Sequence, residues 1–131
     1  MADVKVKAVS TPKTADVEVR AVSKYIRGSP LKVRLVAALV KGKKVDDALN
    51  QLKFVTKAAA DPVSKAIKSA AANAVENYGL TREELVVSRV IADAGPIRKW
   101  RRFGARGRFK PILKRSAHIT VVVTERVMRD A

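Results

Sequence analysis

The run RKWRRFGARGRFKPILKR at residues 98–115 constrains the fold more than any other part of the sequence. Nine of its eighteen residues are Lys or Arg and none is acidic. Unpaired charges are too costly to bury, so this run cannot belong to a protein core. It lies between two Val- and Ile-rich segments, residues 85–94 and 116–126. The pattern predicts one long antiparallel hairpin, whose outer part leaves the body and turns at Gly104 and Gly107.

Positive charge also dominates the whole chain, with 28 Lys and Arg against 12 Asp and Glu and a net charge of +16. An excess of this size attracts polyanions. Six of the nine cations in the run are Arg, which binds phosphate in a bidentate manner and stacks on bases. Trp100, Phe103 and Phe109 are interleaved with them and are available to stack on unpaired bases. The sequence therefore indicates a nucleic-acid partner, and RNA in particular.

Other patterns along the chain predict the element order β-α-α-α-β-β. Residues 16–26 alternate between apolar and polar side chains, as in a strand. Ser29-Pro30 opens a helix as N-cap and first helical residue, and a short second helix follows. A long helix covers about residues 57–78, with Pro62 either at its start or kinking it. The predicted fold class is α+β, with three helices packed on a small three-stranded antiparallel sheet and a long protruding basic β-hairpin.

Apolar spacing within the helices predicts which sides face the core. In the first helix the predicted stripe is Leu31, Leu35, Val36, Leu39 and Val40. In the long helix it is Ile67, Ala70, Ala71, Ala74, Val75 and Tyr78.

The chain is predicted to form a single domain over residues 16–126, with the hairpin at about 95–115, a mobile N-terminal tail at 1–15 and a C-terminal tail at 127–131. There is no Cys, which excludes disulfides, Cys-ligated zinc and a cysteine nucleophile. No secretory signal or membrane-spanning run is apparent, so we expect a soluble cytosolic protein without a membrane partner. A membrane-surface helix is disfavoured because glycines and a proline interrupt the basic run.

Catalysis and metal binding find little support in the sequence. His118 is the single His, and no paired acid, base or nucleophile is near it in sequence. We expect it to make a structural or RNA hydrogen bond. No catalytic residue, metal site or cofactor is predicted, and no nucleotide-binding phosphate loop occurs.

Long stretches closely resemble the bacterial form of the large-subunit ribosomal protein L-twenty-two family, from about Ala21 to Glu125. The matching stretches are Tyr25–Val36, Gly42-Lys43, Ala48-Leu49, Lys57–Ala59, Ser69-Ala70, Ala72–Ala74, Asn77, Gly95-Pro96, Lys99, Ala105–Arg108 and Ile112–Val123. The family tip usually reads Pro-Arg-Ala, whereas the matching positions here are Phe103-Gly104-Ala105.

The resemblance implies a structural constituent of the large ribosomal subunit in the cytoplasm. It implies a body near the polypeptide exit and a hairpin that runs through the ribosomal RNA to line the exit tunnel. The implied partners are large-subunit ribosomal RNA, neighbouring large-subunit proteins including the L-four family protein at the tunnel, and the nascent chain. It also implies a role in ribosome assembly.

A second basic cluster surrounds the start of the first helix and consists of Arg27, Lys32 and Arg34 with Ser29. The helix N-terminus there also favours phosphate. These residues are either solvated or bound to RNA, and the resemblance favours RNA. All residues expected to bind RNA are Arg27, Ser29, Lys32, Arg34, Lys43, Arg98, Lys99, Trp100, Arg101, Arg102, Arg106, Arg108, Lys110, Lys114, Arg115 and His118. The expected tunnel tip is Arg102, Phe103, Gly104, Ala105, Arg106 and Gly107.

Two other functions remain as alternatives. One is a free regulator that binds messenger RNA or DNA, and the other is an enzyme acting on a nucleic-acid substrate. A ribosomal protein would sediment with large subunits after a moderate-salt wash, whereas a regulator would form a free pool. The scarcity of catalytic residue types disfavours the enzyme.

Overall fold

The structure is a computed structural model that describes residues 17–126. The predicted tails at 1–15 and 127–131 lie outside the described residues. The elements are β1 (Glu18–Arg27), α1 (Pro30–Val40), α2 (Val45–Phe54), α3 (Ala60–Tyr78), β2 (Leu85–Ala94), β3 (Arg98–Phe103), β4 (Phe109–Lys114) and β5 (Ser116–Glu125). The α+β fold class is confirmed.

Strands β1, β5 and β2 form an antiparallel sheet in that order, with β5 in the centre. The central position suits β5 because its β-branched residues pack well on a pleated surface. Ile119, Val121 and Val123 are fully buried in β5. In β1 the predicted alternation is confirmed, since Val19 and Ala21 are buried while the residues between and beside them are exposed.

The helices contact the sheet through small side chains. Helix α3 lies against β1 and β5, and α1 lies against β2. The core-facing residues of α3 are Ala60, Val63, Ala66, Ile67, Ala70, Ala71 and Ala74. Because most of these side chains are small, the helix axis can approach the sheet closely, and the core is built mainly of Ala and Val.

The predicted apolar stripe of α1 is wrong at three positions. Leu31, Leu35 and Leu39 are exposed, with Leu31 68% accessible. The buried residues are Pro30, Val33, Val36, Ala37 and Val40. Both sets have helical spacing and lie roughly 150° apart around the axis. The smaller side chains face the core because the helix packs close to the sheet.

The long helix ends at Tyr78 as predicted but begins a few residues later than residue 57. It begins at Ala60, so Pro62 stands in the first turn, where its missing N–H costs no helical hydrogen bond. Of the two alternatives for Pro62, a position at the start of the helix is confirmed, rather than a kink inside it. Val75 and Tyr78 are exposed, contrary to the predicted stripe, because Val75 lies roughly 100° around the axis from the buried Ala74 and Tyr78 is the last residue of the helix. Gly79 ends the helix with a φ of +64°.

Candidate nucleic-acid interface

The arm, defined as residues 98–114, stands apart from the three-stranded sheet. Within residues 17–126, its strands β3 and β4 pair with each other and with no other strand, from Arg98 opposite Lys114 to Phe103 opposite Phe109. Every residue of both strands is exposed. The charged and aromatic side chains of the arm are therefore available to a ligand along its whole length.

The two faces of the arm differ, because successive side chains of a strand point to opposite sides. The register places six residues on what we call the cationic face: Arg98, Trp100, Arg102, Lys110, Ile112 and Lys114. One internal contact fits this assignment, since Lys114 Nζ lies 4.5 Å from the centroid of the Trp100 ring. Four of the six side chains are cations, so this face suits a phosphate backbone.

The opposite side, the aromatic face, carries Lys99, Arg101, Phe103, Phe109, Pro111 and Leu113. The rings of Phe103 and Phe109 lie 5.4 Å apart, and Arg101 Cζ is 5.3 Å from the Phe109 centroid. Phe103 is 84% exposed despite these contacts. An apolar surface of this kind offers flat rings to bases or to apolar groups of a neighbour.

The tip of the arm turns on residues 105–107 rather than on Gly104. Arg106 and Gly107 have φ angles of 57° and 67°, whereas Gly104 is extended at −115°. The prediction that Gly104 supplies a positive φ is wrong. Its N–H donates to the Arg108 carbonyl at 2.7 Å, and a Cβ there would lie 2.8 Å from the same oxygen. Glycine is required at 104 for close approach of the two strands.

A cleft of about 460 Å³ opens where the arm joins the body, and we call it the root cleft. Its lining residues are Tyr25, Arg27, Pro96, Arg98, Trp100, Lys114, Arg115 and Ser116. Hydrogen bonds fix its walls. Ser116 Oγ donates to the Pro96 carbonyl at 2.7 Å, and the Gly28 N–H donates to the Arg115 carbonyl at 3.1 Å. The lining contains four cations and no carboxylate.

His118 makes a structural hydrogen bond beside the root cleft. Its Nδ1 accepts from the Tyr25 N–H at 3.1 Å, and the two rings meet edge to face with centroids 5.0 Å apart. Tyr25 has a φ of 58° within a bulge of β1 between Ser23 and Ile26. Sequence reasoning missed Tyr25 as a cleft residue, because nothing local signals a positive φ at a tyrosine.

The predicted cluster around the start of α1 is only partly assembled at this site. Arg27 lines the root cleft, whereas Ser29, Lys32 and Arg34 do not. Arg34 Nε donates to the Ala92 carbonyl at 3.0 Å and so ties α1 to β2. Lys43 Nζ donates to the Gln51 side chain. Both cations therefore have partners within the body, and their predicted RNA contacts stay predictions.

Among residues 17–126, ion pairs occur in the body and not in the arm. The ion pairs within residues 17–126 are Arg82–Asp46 at 3.0 Å and Arg89–Glu18 at 2.7 Å. The cations of the arm have no carboxylate partner among the described residues. Over the same residues no His, Cys, Asp or Glu cluster could hold a metal ion. No helix in that range is long and apolar enough to cross a membrane.

Comparison with known proteins gives consistent matches over most of the chain. Residues 21–124 match the family described as "Ribosomal protein L22p/L17e". A "Large ribosomal subunit protein uL22" of Thermoanaerobacter sp. (strain X514) is 48% identical over 109 residues, which cover 83% of this chain and 98% of that relative. The protein of the same name from Dehalococcoides mccartyi (strain CBDB1) is 51% identical over 108 residues, covering 82% and 99%. The one from Synechococcus sp. is 49% identical over 106 residues, covering 81% and 86%.

Proposed function

The chain belongs to the ribosomal protein L22p/L17e family, and on that premise we propose that it binds large-subunit ribosomal RNA through the arm. It is a large-subunit ribosomal protein of the bacterial cytoplasm, in a family that is structural rather than enzymatic. The observation that carries the proposal is the exposure of every residue of β3 and β4, with cations that no carboxylate of the described residues neutralises.

Phosphate neutralisation would be the main source of affinity. Cations that meet phosphates release condensed counterions, so binding weakens steeply as salt rises. The cationic face presents four such side chains within two six-residue strands. The other predicted RNA-binding cations of the arm lie on the other face and at the tip, and they are Lys99, Arg101, Arg106 and Arg108. Together they would let the arm contact phosphates on more than one side.

The arm would penetrate the RNA and reach the wall of the polypeptide exit tunnel. From Gly95 to Gly104 the chain spans about 30 Å when extended. The tip, from Arg102 to Gly107, would then face the tunnel, the nascent chain and the L-four family protein. Its exposed Phe103 and Arg106 support contacts outside the chain. By holding several RNA segments together, the protein would assist assembly of the large subunit.

The test replaces residues 99–113 with Asn-Gly, a dipeptide that closes two-residue hairpins. We expect the body to keep its circular dichroism spectrum, because its core contains no arm residue. Filter binding to large-subunit ribosomal RNA across a salt series should show lower affinity and a flatter salt dependence. An unchanged slope would show that the body supplies the phosphate contacts.

Sedimentation of cell extracts addresses the alternatives. The full-length protein should travel with large subunits after a moderate-salt wash. A mainly free pool would favour the regulator of messenger RNA or DNA over the ribosomal function.

A further inference from the structure

We propose that the root cleft holds one unpaired RNA nucleotide, with its base stacked on Trp100 and its phosphate bound by the surrounding cations. The proposal rests on RNA being the partner of the arm and adds a defined site for it. Duplex RNA keeps its bases stacked inside the helix, whereas an unpaired nucleotide can turn its base outward into a protein cleft. The cleft therefore binds unpaired RNA in preference to duplex RNA that carries the same charge.

The charge of the lining requires an anionic ligand. Arg27, Arg98, Lys114 and Arg115 converge on the cleft, and none of its lining residues is acidic. Three of these four are Arg, whose planar guanidinium fits phosphate oxygens in pairs. An arrangement of this kind fits a phosphate group better than a neutral or cationic partner.

Aromatic surface beside these cations distinguishes a nucleotide from a bare phosphate. Trp100 is 58% exposed and lines the cleft together with the exposed Tyr25. The Lys114 ammonium lies over the Trp100 ring at 4.5 Å. An exposed cation–π contact is weaker than base stacking on an aromatic ring. An incoming base therefore displaces the ammonium from the ring, and Lys114 then pairs with the nucleotide's phosphate.

The cleft is preformed. Its volume of about 460 Å³ lies in the range of small-molecule sites, roughly 300–1,000 Å³. Tyr25 adopts a positive φ, which is unfavourable for a bulky residue, and His118 Nδ1 holds its N–H. Gly95 packs closely on the same wall, since a Cβ there would collide with Ser116 Oγ. The Tyr25–His118 hydrogen bond and this close packing fix the wall before a ligand binds and lower the ordering cost of binding.

Trp100 is the single Trp of the chain, so the emission of the full-length protein reports on this cleft. The probe is a single-stranded oligoadenylate of about eight nucleotides, within the usual site size for such RNA. The comparison ligands are an RNA duplex and inorganic polyphosphate of matched phosphate content, and poly-glutamate. We expect oligoadenylate to quench Trp100 and the three other polyanions to leave it nearly unchanged. Equal quenching by polyphosphate or poly-glutamate would overturn the proposal.

A paired substitution controls for non-specific stacking. The variant Trp100→Phe with Phe103→Trp moves the single Trp from the root to the tip. We expect oligoadenylate to quench this protein much less than the wild type. Equal quenching at the tip would mean that bases stack along the whole arm, and the root cleft would lose its assignment.

Affinity measurements with labelled oligoadenylate complete the test. Trp100→Leu should weaken binding at least about fivefold while polyphosphate binding is unchanged. Arg115→Gln should weaken the binding of both ligands. Lys68→Gln, at an exposed position of α3, serves as the matched loss of charge outside the cleft. If none of these variants differs from Lys68→Gln while ribosomal RNA binding and co-sedimentation persist, the cleft proposal alone fails. If ribosomal RNA binding is itself absent, the proposed function fails with it.

Discussion

Strands β4 and β5 follow each other along the chain, separated by Arg115 alone, yet they have opposite surroundings. In β5 the residues Ala117, Ile119, Val121 and Val123 are fully buried beneath the helices. In β4 every residue is exposed. Both strands make the same kind of antiparallel backbone pairing. Backbone hydrogen bonds therefore form both antiparallel pairings, whereas side-chain burial determines which of the two strands stabilises the protein.

The comparison also explains the composition of the arm. A two-stranded ribbon without a core is marginally stable in water, and closely spaced cations weaken it further. The body has no need of arm side chains for its core. The arm's cations and rings are consequently free to contact a ligand, and a polyanion would relieve their repulsion.

The largest expected effect is on RNA affinity, through charge removal from the cationic face. Arg98, Arg102, Lys110 and Lys114 changed together to Gln should lower the salt slope by about three and the affinity near 0.1 M salt by two to three orders of magnitude, at about 0.7 per phosphate contact. Filter binding to ribosomal RNA measures both quantities.

The matched control changes four exposed body lysines to Gln: Lys53, Lys57, Lys65 and Lys68. The two proteins lose the same charge. Similar losses of affinity in both would break the distinction between arm and body as RNA-binding surfaces.

The second-largest effect is expected on the free energy of unfolding, and the test compares one Ile→Ala change in each of the two strands. Ile119→Ala in β5 removes buried methyl and methylene groups and should lower the free energy of unfolding by about 2–5 kcal/mol. Ile112→Ala in β4, where the side chain is exposed, should change it by less than about 0.5 kcal/mol. Urea denaturation followed by circular dichroism checks both. Comparable costs would mean that the arm has a core of its own.

A smaller and local effect is expected at the tip. Gly104→Ala places a Cβ against the Arg108 carbonyl and should loosen the end of the ribbon. Amide exchange near Phe103 and Phe109 should accelerate by about tenfold, as for a local loss near 1.4 kcal/mol. The urea midpoint should stay unchanged, and Ala105→Ser provides a mild control. A shifted midpoint would show that arm and body unfold together.

The smallest effect is a pH dependence located in the body. Burial, together with the neighbouring Glu84 carboxylate, raises the pKa of Glu125 above its ordinary value of 4.5. The folded state then binds a proton more readily than the unfolded state, so ionisation of Glu125 weakens folding as pH rises through the raised value. Glu125→Gln should therefore be slightly more stable than the wild type near neutral pH, and the difference should vanish below about 4.5.

The readout is the difference between the urea midpoints of the two proteins across that pH range. The arm carries no carboxylate, so amide exchange in the arm, corrected for its intrinsic pH dependence, should not differ between them. A constant difference between the two proteins at all pH values would exclude Glu125 as the titrating group.

Local chemistry made several features predictable from the sequence. Ser29-Pro30 opens α1 and Gly79 closes α3, because start and stop signals act over a few residues. The exposed hairpin was predictable because residues 98–115 contain nine cations and no acid, and unpaired charges at this density cannot be buried in a core. The order of helices and strands followed from these signals together with hydrophobic periodicity.

Other features depended on contacts between distant segments. The stripe predicted for α1 included three leucines that are exposed, and only close packing against the sheet decided that the Val and Ala stripe is buried. The root cleft joins Tyr25 and Arg27 of β1 to residues 96, 98, 100 and 114–116, which strand pairing brings together. By itself the sequence determined the elements and the exposed arm, since periodicity and charge density are local. Only the tertiary structure decided the helix face and the cleft, since both depend on pairing register and close packing.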